Sequence, residues 1–291
     1  MYVTGTYPAS STPGVTFLRT VLPDLLLGAG LTLVTEVEYS TGNWAAIYRF
    51  PDGRYVMFGI TYAAQPGLTV TIFEAYDSGN ATTPFSGVGN SQSSASSTYP
   101  LTADGRRAIS TSNTALLAVN HLGTLNAGFS VNLSTLGGQY WFSGNSERIV
   151  LGIRSSATDA GIYVGSIASV PPAIVGGFNH YLVRLWTGYG STTTREPGIT
   201  SAQSVRGALI LNLASDGSIS TSPDTYSGKY PVARARVQSG RDGQGRHGVL
   251  RDIFMSSLTT PVNGDTSVID GRLHVCMREG TGSSFFVDTT V

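Results

Sequence analysis

Residues 31–76, LTLVTEVEYSTGNWAAIYRFPDGRYVMFGITYAAQPGLTVTIFEAY, carry four strand-like runs divided by turn chemistry. Leu31, Leu33, Val37 and Tyr39 share one parity, and Thr32, Glu36 and Glu38 the other. That alternation belongs to a strand with one buried and one wet face. Between Trp44–Phe50 and Tyr55–Tyr62 stands Phe50-Pro51-Asp52-Gly53. Proline presets φ, aspartate bonds its own backbone, and glycine accepts positive φ, so this stretch turns a hairpin. A second turn at Pro66-Gly67 leads into Leu68–Tyr76. The segment predicts an antiparallel meander. The fold class that follows is mainly β, an antiparallel β-sandwich or packed meanders with a short N-terminal helix pair.

Upstream, residues 1–13 read as an extended N-terminal arm with Pro8 and Pro13 and no periodicity. Such an arm is either a frayed terminus or a strand lent to a neighbouring subunit, because Tyr2, Val3 and Tyr7 are poor choices for permanent exposure. Residues 14–80 combine a helix with the meander. Phe17, Leu18, Val21, Leu22, Leu25 and Leu26 recur at spacings of three and four, Thr12 and Pro13 suit its start, and Gly28 and Gly30 its end. Pro23 removes a backbone donor and is expected to bend or split it into the helix pair. This apolar stripe predicts a cover for one face of the meander. Residues 81–138 read as a Ser/Gly-rich insertion or loops, with low-apolar composition already setting in at residue 77. Residues 139–291 read as a second β-rich unit packed on the first. Its strands are expected at Tyr140–Phe142, Arg148–Arg154, Gly161–Ser169, Tyr181–Gly188, Ala208–Leu213, Val249–Met255, Arg272–Arg278 and Ser284–Val287, with 214–247 turn-rich.

The chain has 291 residues and a net charge of +0. It therefore has no overall field to draw nucleic acid or an anionic membrane. Charged residues make up 12%, about half the usual share, so large faces close with little charge to desolvate. The single cysteine, Cys276, excludes an internal disulfide. No run approaches the ~18 apolar residues of a membrane-spanning helix, and the first dozen residues lack the features of a secretory leader. Synthesis in a cytoplasm is the expectation.

Charge is concentrated once. Lys229, Arg234, Arg236, Arg241, Arg246 and Arg251 face only Asp242, leaving +5 over residues 229–251. Such a stretch is a solvated loop, a protein–protein contact, or a contact with nucleic-acid phosphate, in descending order of expectation. Catalytic patterns are weaker. No G-x-S-x-G elbow occurs, the four histidines have no metal-binding spacing, and His274 and Cys276 share a strand face without a third ligand nearby. Gly240–Arg246 is glycine-rich but does not run from a strand into a helix, so it is a poor phosphate loop. Glu36, Glu38, Glu74, Glu147 and Asp159 are the acids available for paired-carboxylate hydrolysis, each on a strand or turn where a solvated acid is ordinary. The expectation is no catalytic residue, no cofactor and no metal. An interface is expected to use Tyr2, Val3, Tyr7, Arg234, Arg236, Arg241 and Arg246.

Several rhythms carry a resemblance. Phe17-Leu18-Arg19-Thr20-Val21-Leu22-Pro23-Asp24-Leu25-Leu26 leads through Gly28-Ala29-Gly30 into Leu31-Thr32-Leu33-Val34. Asn43-Trp44 and Pro51-Asp52-Gly53-Arg54-Tyr55 follow, then Asn145-Ser146-Glu147-Arg148-Ile149-Val150, Ile162–Ile167 and Pro171-Pro172. Late in the chain come Arg246-His247-Gly248-Val249-Leu250-Arg251-Asp252-Ile253 and Asp270-Gly271-Arg272-Leu273-His274-Val275. This layout resembles structural proteins of tailed bacteriophages found around the neck, collar and tail, with a departure at Leu31, where tryptophan is the expected residue. The resemblance implies a non-catalytic virion component assembled in the host cytoplasm. Its partners would be its own copies and other virion proteins of neck, tail or baseplate; from charge and hydropathy no membrane is expected, and nucleic acid is the least expected partner. A receptor- or glycan-binding decoration protein is the alternative, with Tyr99, Tyr189 or Tyr226 stacking on sugar, and a glycan-cleaving enzyme stands behind it.

Overall fold

The computed structural model describes residues 1–40, 43–62, 65–73, 108–109, 125–126, 128–156, 159–168, 181–187, 211–215, 232–239, 246–256, 261–277 and 284–290. These residues form mostly antiparallel sheets with one short N-terminal helix.

The arm is strand β1 (Tyr2–Tyr7). The helical segment follows as α1 (Pro13–Thr16), a π turn over Phe17–Val21, and α2 (Leu22–Gly28). The expected helix pair is thus one helix with a widened turn. Leu22 N–H reaches back five residues to the Phe17 carbonyl, immediately before Pro23, which has no N–H to give. Widening the turn there accommodates the proline without splitting the helix. Phe17, Leu18, Leu22, Leu25 and Leu26 are all buried, as the stripe predicts. The helix contacts the meander and also Gly138–Gly144 of a second sheet.

The meander is β2 (Thr32–Ser40), β3 (Asn43–Arg49), β4 (Tyr55–Tyr62) and β5 (Gln65–Phe73), paired in that order. Two details differ from the sequence reading. Pro66-Gly67 lies inside β5 rather than forming a turn, beside a register shift between Ile60 and Tyr62 on β4, where a missing N–H is tolerated. Leu33 is exposed although Leu31, of the same parity, is buried, and the β2–β3 register shifts between Leu33 and Thr35. At the centre, Ala46-Ile47-Tyr48 and Val56-Met57-Phe58 are buried in succession, so both faces are covered there. The hairpin turn is as read, with Gly53 N–H bonded to the Phe50 carbonyl at 3.0 Å and Gly53 at φ 94°.

Short strands β6 (Ala108–Ile109) and β7 (Leu125–Asn126) pair in parallel. Strand β8 (Gly128–Asn132) completes the meander sheet beside β5, although it falls in the expected insertion. Its Gly-Phe-Ser-Val-Asn sequence has only two large apolar residues, too weak a signal against its polar surroundings. A second sheet has the order β1, β9 (Gly138–Gly144), β10 (Arg148–Ser155), β11 (Asp159–Gly165), β13 (Tyr181–Thr187). The arm is therefore neither frayed nor lent: it pairs antiparallel with β9 of its own chain from Tyr2↔Ser143 to Tyr7↔Gly138.

The third sheet runs β14 (Leu211–Ser215), β15 (Ala233–Ser239), β16 (Arg246–Ser256), β19 (Ser284–Asp288), β18 (Arg272–Cys276), β17 (Thr266–Ile269). Strand β12 (Ile167–Ala168) also pairs with β16, so the chain leaves the second sheet at Ser166 and enters the third. Strand β15 lies within the stretch read as turn-rich. Its alternation of Ala233, Ala235 and Val237 with Arg234, Arg236 and Gln238 uses small residues, which weakens the apolar signal. One contiguous apolar core draws on all three sheets and the helix.

Candidate functional site: an arginine–aspartate cleft above a buried arginine

The site begins at the β9–β10 turn. Asn145 Oδ1 accepts the backbone N–H groups of Glu147 and Arg148, each at 2.9 Å, and this side-chain turn starts β10 with Arg148 pointing inward. Arg148 is completely buried. Its Nη1 donates to Ser143 Oγ at 3.0 Å, its Nη2 reaches the Asp288 carbonyl at 3.5 Å, and its Nε lies 3.7 Å from Asp252 Oδ2 without a hydrogen-bond partner. Ser143 Oγ in turn donates to the Asp288 carbonyl at 3.0 Å. The second sheet is thus tied to the third by buried polar contacts. Burial pushes the Arg148 pKa down, while Tyr163, Asp252 and Asp288 oppose that shift. Gly165, cross-strand from Arg148, is required because a Cβ there would lie 2.7 Å from Arg148 Cα.

The meander hairpin locks onto the same turn. Arg54 Nε donates to Asp52 Oδ2 at 2.6 Å and its Nη2 to the Glu147 carbonyl at 3.0 Å. The Glu147 carbonyl also accepts the Ser166 N–H at 3.2 Å, at the corner between sheets. Tyr163, buried beside it, hydrogen-bonds the Ser166 carbonyl, and its pKa is pushed up to about 12 by burial.

Above Arg148, β16 bulges. Arg234 pairs with Phe254 and Arg236 with Val249, so two steps along β15 match five along β16. Asp252 sits in the surplus with φ 56°, a left-handed conformation that aspartate tolerates better than most residues. The bulge presents Arg251 to Glu147 at 3.1 Å and Asp252 to two arginines, with Oδ1 3.8 Å from Arg272 Nη1. Asp288 accepts Arg272 Nη1 at 3.0 Å and the Thr290 N–H and hydroxyl at 2.7 and 2.6 Å. Burial acts to raise its pKa, but the Thr290 and Arg272 hydrogen bonds outweigh it and the net shift is downward. Next to this lies the β17–β18 hairpin, turned by Asp270 (φ 52°) and Gly271 (φ 77°), the paired positive φ values of a two-residue turn. Together these elements bound a cleft of about 390 Å³. Arg234 lies 3.6 Å from Asp270 and 5.9 Å above the Phe254 ring, which meets His274 edge-on at 5.1 Å.

The expected interface residues separate. Tyr2, Val3 and Tyr7 lie on β1 in the second sheet, and Tyr7 is core: it packs on Phe17 at 5.6 Å and its hydroxyl accepts the Ser134 N–H. Arg234 reaches the cleft rim, Arg236 and Arg246 are placed by backbone pairing on β15 and β16, and Arg241 lies outside the described residues. The stretch is less basic in space than in sequence, because Asp270 and Glu147 arrive from distant segments to pair with Arg234 and Arg251. Of the acids considered for hydrolysis, Glu36 pairs with Arg19 at 2.9 Å and Glu147 with Arg251. His274 is buried with Nδ1 3.0 Å from the Arg272 carbonyl, and among the described residues no three His, Cys, Asp or Glu side chains converge on a metal position. Tyr99, Tyr189 and Tyr226 lie outside the described residues. Arg148, Asp252 and Asp288 went unread, though each leaves a mark: a charge heading the apolar run Ile149–Leu151, one interrupting Val249–Met255, and one closing Phe285–Val287. No protein-family model and no curated protein matches this sequence.

Proposed function

We propose that the chain is a structural component of a tailed-phage virion, in the neck, collar or tail. It works through contacts between copies and with other virion proteins, without turnover of its own, and its sheets pack as layered meanders. The observation that supports this most is the use made of buried charge. Arg148 ties the second sheet to the third, and Arg54 ties the meander to the turn beside it, an investment in a rigid body. The low-charge sequence and the resemblance of its motifs point the same way. Of the arm residues, Tyr7 is buried inside the chain, whereas Tyr2 and Val3 stay partly exposed on an edge strand and remain candidates for the contact surface. The contact surface is assigned to the β17–β18 hairpin, where Val268 and Leu273 form an exposed cross-strand apolar pair.

Labelling purified particles, made from the genome that encodes the chain, with gold-tagged antibody to it tests the reading. Gold at one ring or appendage of each particle is the expected result. Particles without label, from which the protein is also missing by mass spectrometry, would overturn it.

A further inference from the structure

We propose that the cleft between β16 and the β17–β18 hairpin binds a neutral, polyhydroxylated ligand: one or two sugar units of a glycan. Its lining offers charge without net charge, since Arg234, Arg251 and Arg272 are matched by Asp252, Asp270 and Asp288. A free anion or cation would have to break an existing pair and strand its partner. A hydroxyl group need not, because it donates to a carboxylate and accepts from a guanidinium at once, and vicinal hydroxyls suit an alternating row of both.

Three further observations bear on the ligand. Asp252 has acceptor capacity to spare: its oxygens sit 3.7 and 3.8 Å from Arg148 Nε and Arg272 Nη1, ion-pair distances too long for good hydrogen bonds. It is held there by the β16 bulge, and beneath it lies the buried Arg148 Nε, 3.7 Å from Asp252 Oδ2 and without a hydrogen-bond partner. Phe254 is half-buried and steadied by the His274 ring, so it offers an apolar patch for the C–H face of a sugar next to the polar row. The volume of about 390 Å³ lies at the low end of the roughly 300–1,000 Å³ of small-ligand sites. Asp252, Asp270, Arg234 and Arg272 are assigned the hydroxyl contacts, and Phe254 the stacking contact.

The test uses the full chain and saturation-transfer NMR with titration of glucose, galactose, mannose and N-acetylglucosamine, beside glucuronate and glycerol. Saturable binding of at least one neutral sugar, stronger than glucuronate and glycerol, is expected. D270N, a change at an exposed turn that leaves the fold intact, should weaken it about tenfold, as loss of one hydrogen bond to a charged group does. F254A should weaken it comparably, with circular dichroism confirming the fold. Three results would overturn the proposal: no neutral sugar saturates, glucuronate or glycerol binds as well, or folded D270N binds like the parent. Any of these leaves the virion reading to its own test by particle labelling.

Discussion

Arg148 lies 3.7 Å from an oxygen of Asp252, and Arg234 lies 3.6 Å from one of Asp270, yet the two pairs sit in different worlds. The first guanidinium is wholly buried and shared among a serine, a backbone carbonyl and the aspartate. The second is 56% exposed and faces an aspartate that is 69% exposed. Separation alone therefore says little about what a charge pair does. Water screens the Arg234 pair to a contribution of about 0–1 kcal/mol, whereas removing one member of a buried pair strands the other at a cost of about 3–5 kcal/mol. The buried arginine holds sheets together, and the exposed one is free to meet a partner.

The largest effect is expected from the strand that seals the buried region. The Met1 ammonium donates to the Gly144 carbonyl at 2.8 Å, and its pKa is lowered by burial and then by Arg148 nearby. Deleting residues 1–7 strips six paired residues and the core side chain of Tyr7, and opens the Arg148 region to water. We expect a loss on the order of 5 kcal/mol, a large share of the roughly 5–15 kcal/mol of an ordinary domain, read as a marked drop in the urea midpoint. A truncated chain that unfolds at the parent's urea midpoint would show that the arm belongs outside the fold after all. Next comes Arg148→Ala, expected to cost about 3–5 kcal/mol by the same titration, because the Ser143 hydroxyl and the Asp288 carbonyl lose a buried donor and the side chain leaves a cavity, while Asp252 keeps Arg272. Gly165→Ala should cost less, about 1–3 kcal/mol, by pushing Arg148 off its position, and should lower the thermal midpoint by several degrees.

These expectations mark where the sequence was legible. The Pro51-Asp52-Gly53 hairpin, the helix stripe and the Asp270-Gly271 turn were readable because each is set by neighbours in the chain. The pairing of β1 with β9 was not, since its partner lies more than 130 residues away and the arm has no periodicity of its own. Arg148 was missed for a related reason: its burial is decided by Asp252 and Asp288, which arrive from other strands. The arginine stretch misled because a local count of charge omits the distant acids that neutralise it.

A smaller effect depends on pH. The Asp288 pKa is lowered in the folded chain from its ordinary 3.8, so the stability it contributes is present above that value and is lost as pH falls through the folded pKa. Asp288→Asn should therefore flatten the acid end of the stability curve below about pH 4, measured by thermal melts at several pH values.

The most direct measurement is a pair of double-mutant cycles in urea, one with Arg148→Ala and Asp252→Ala, the other with Arg234→Ala and Asp270→Ala. The buried pair should couple by about 1 kcal/mol or more, and the exposed pair by less than about 0.5 kcal/mol. Equal coupling in both cycles, or simple additivity at Arg148, would contradict the account of a charge seam joining the sheets.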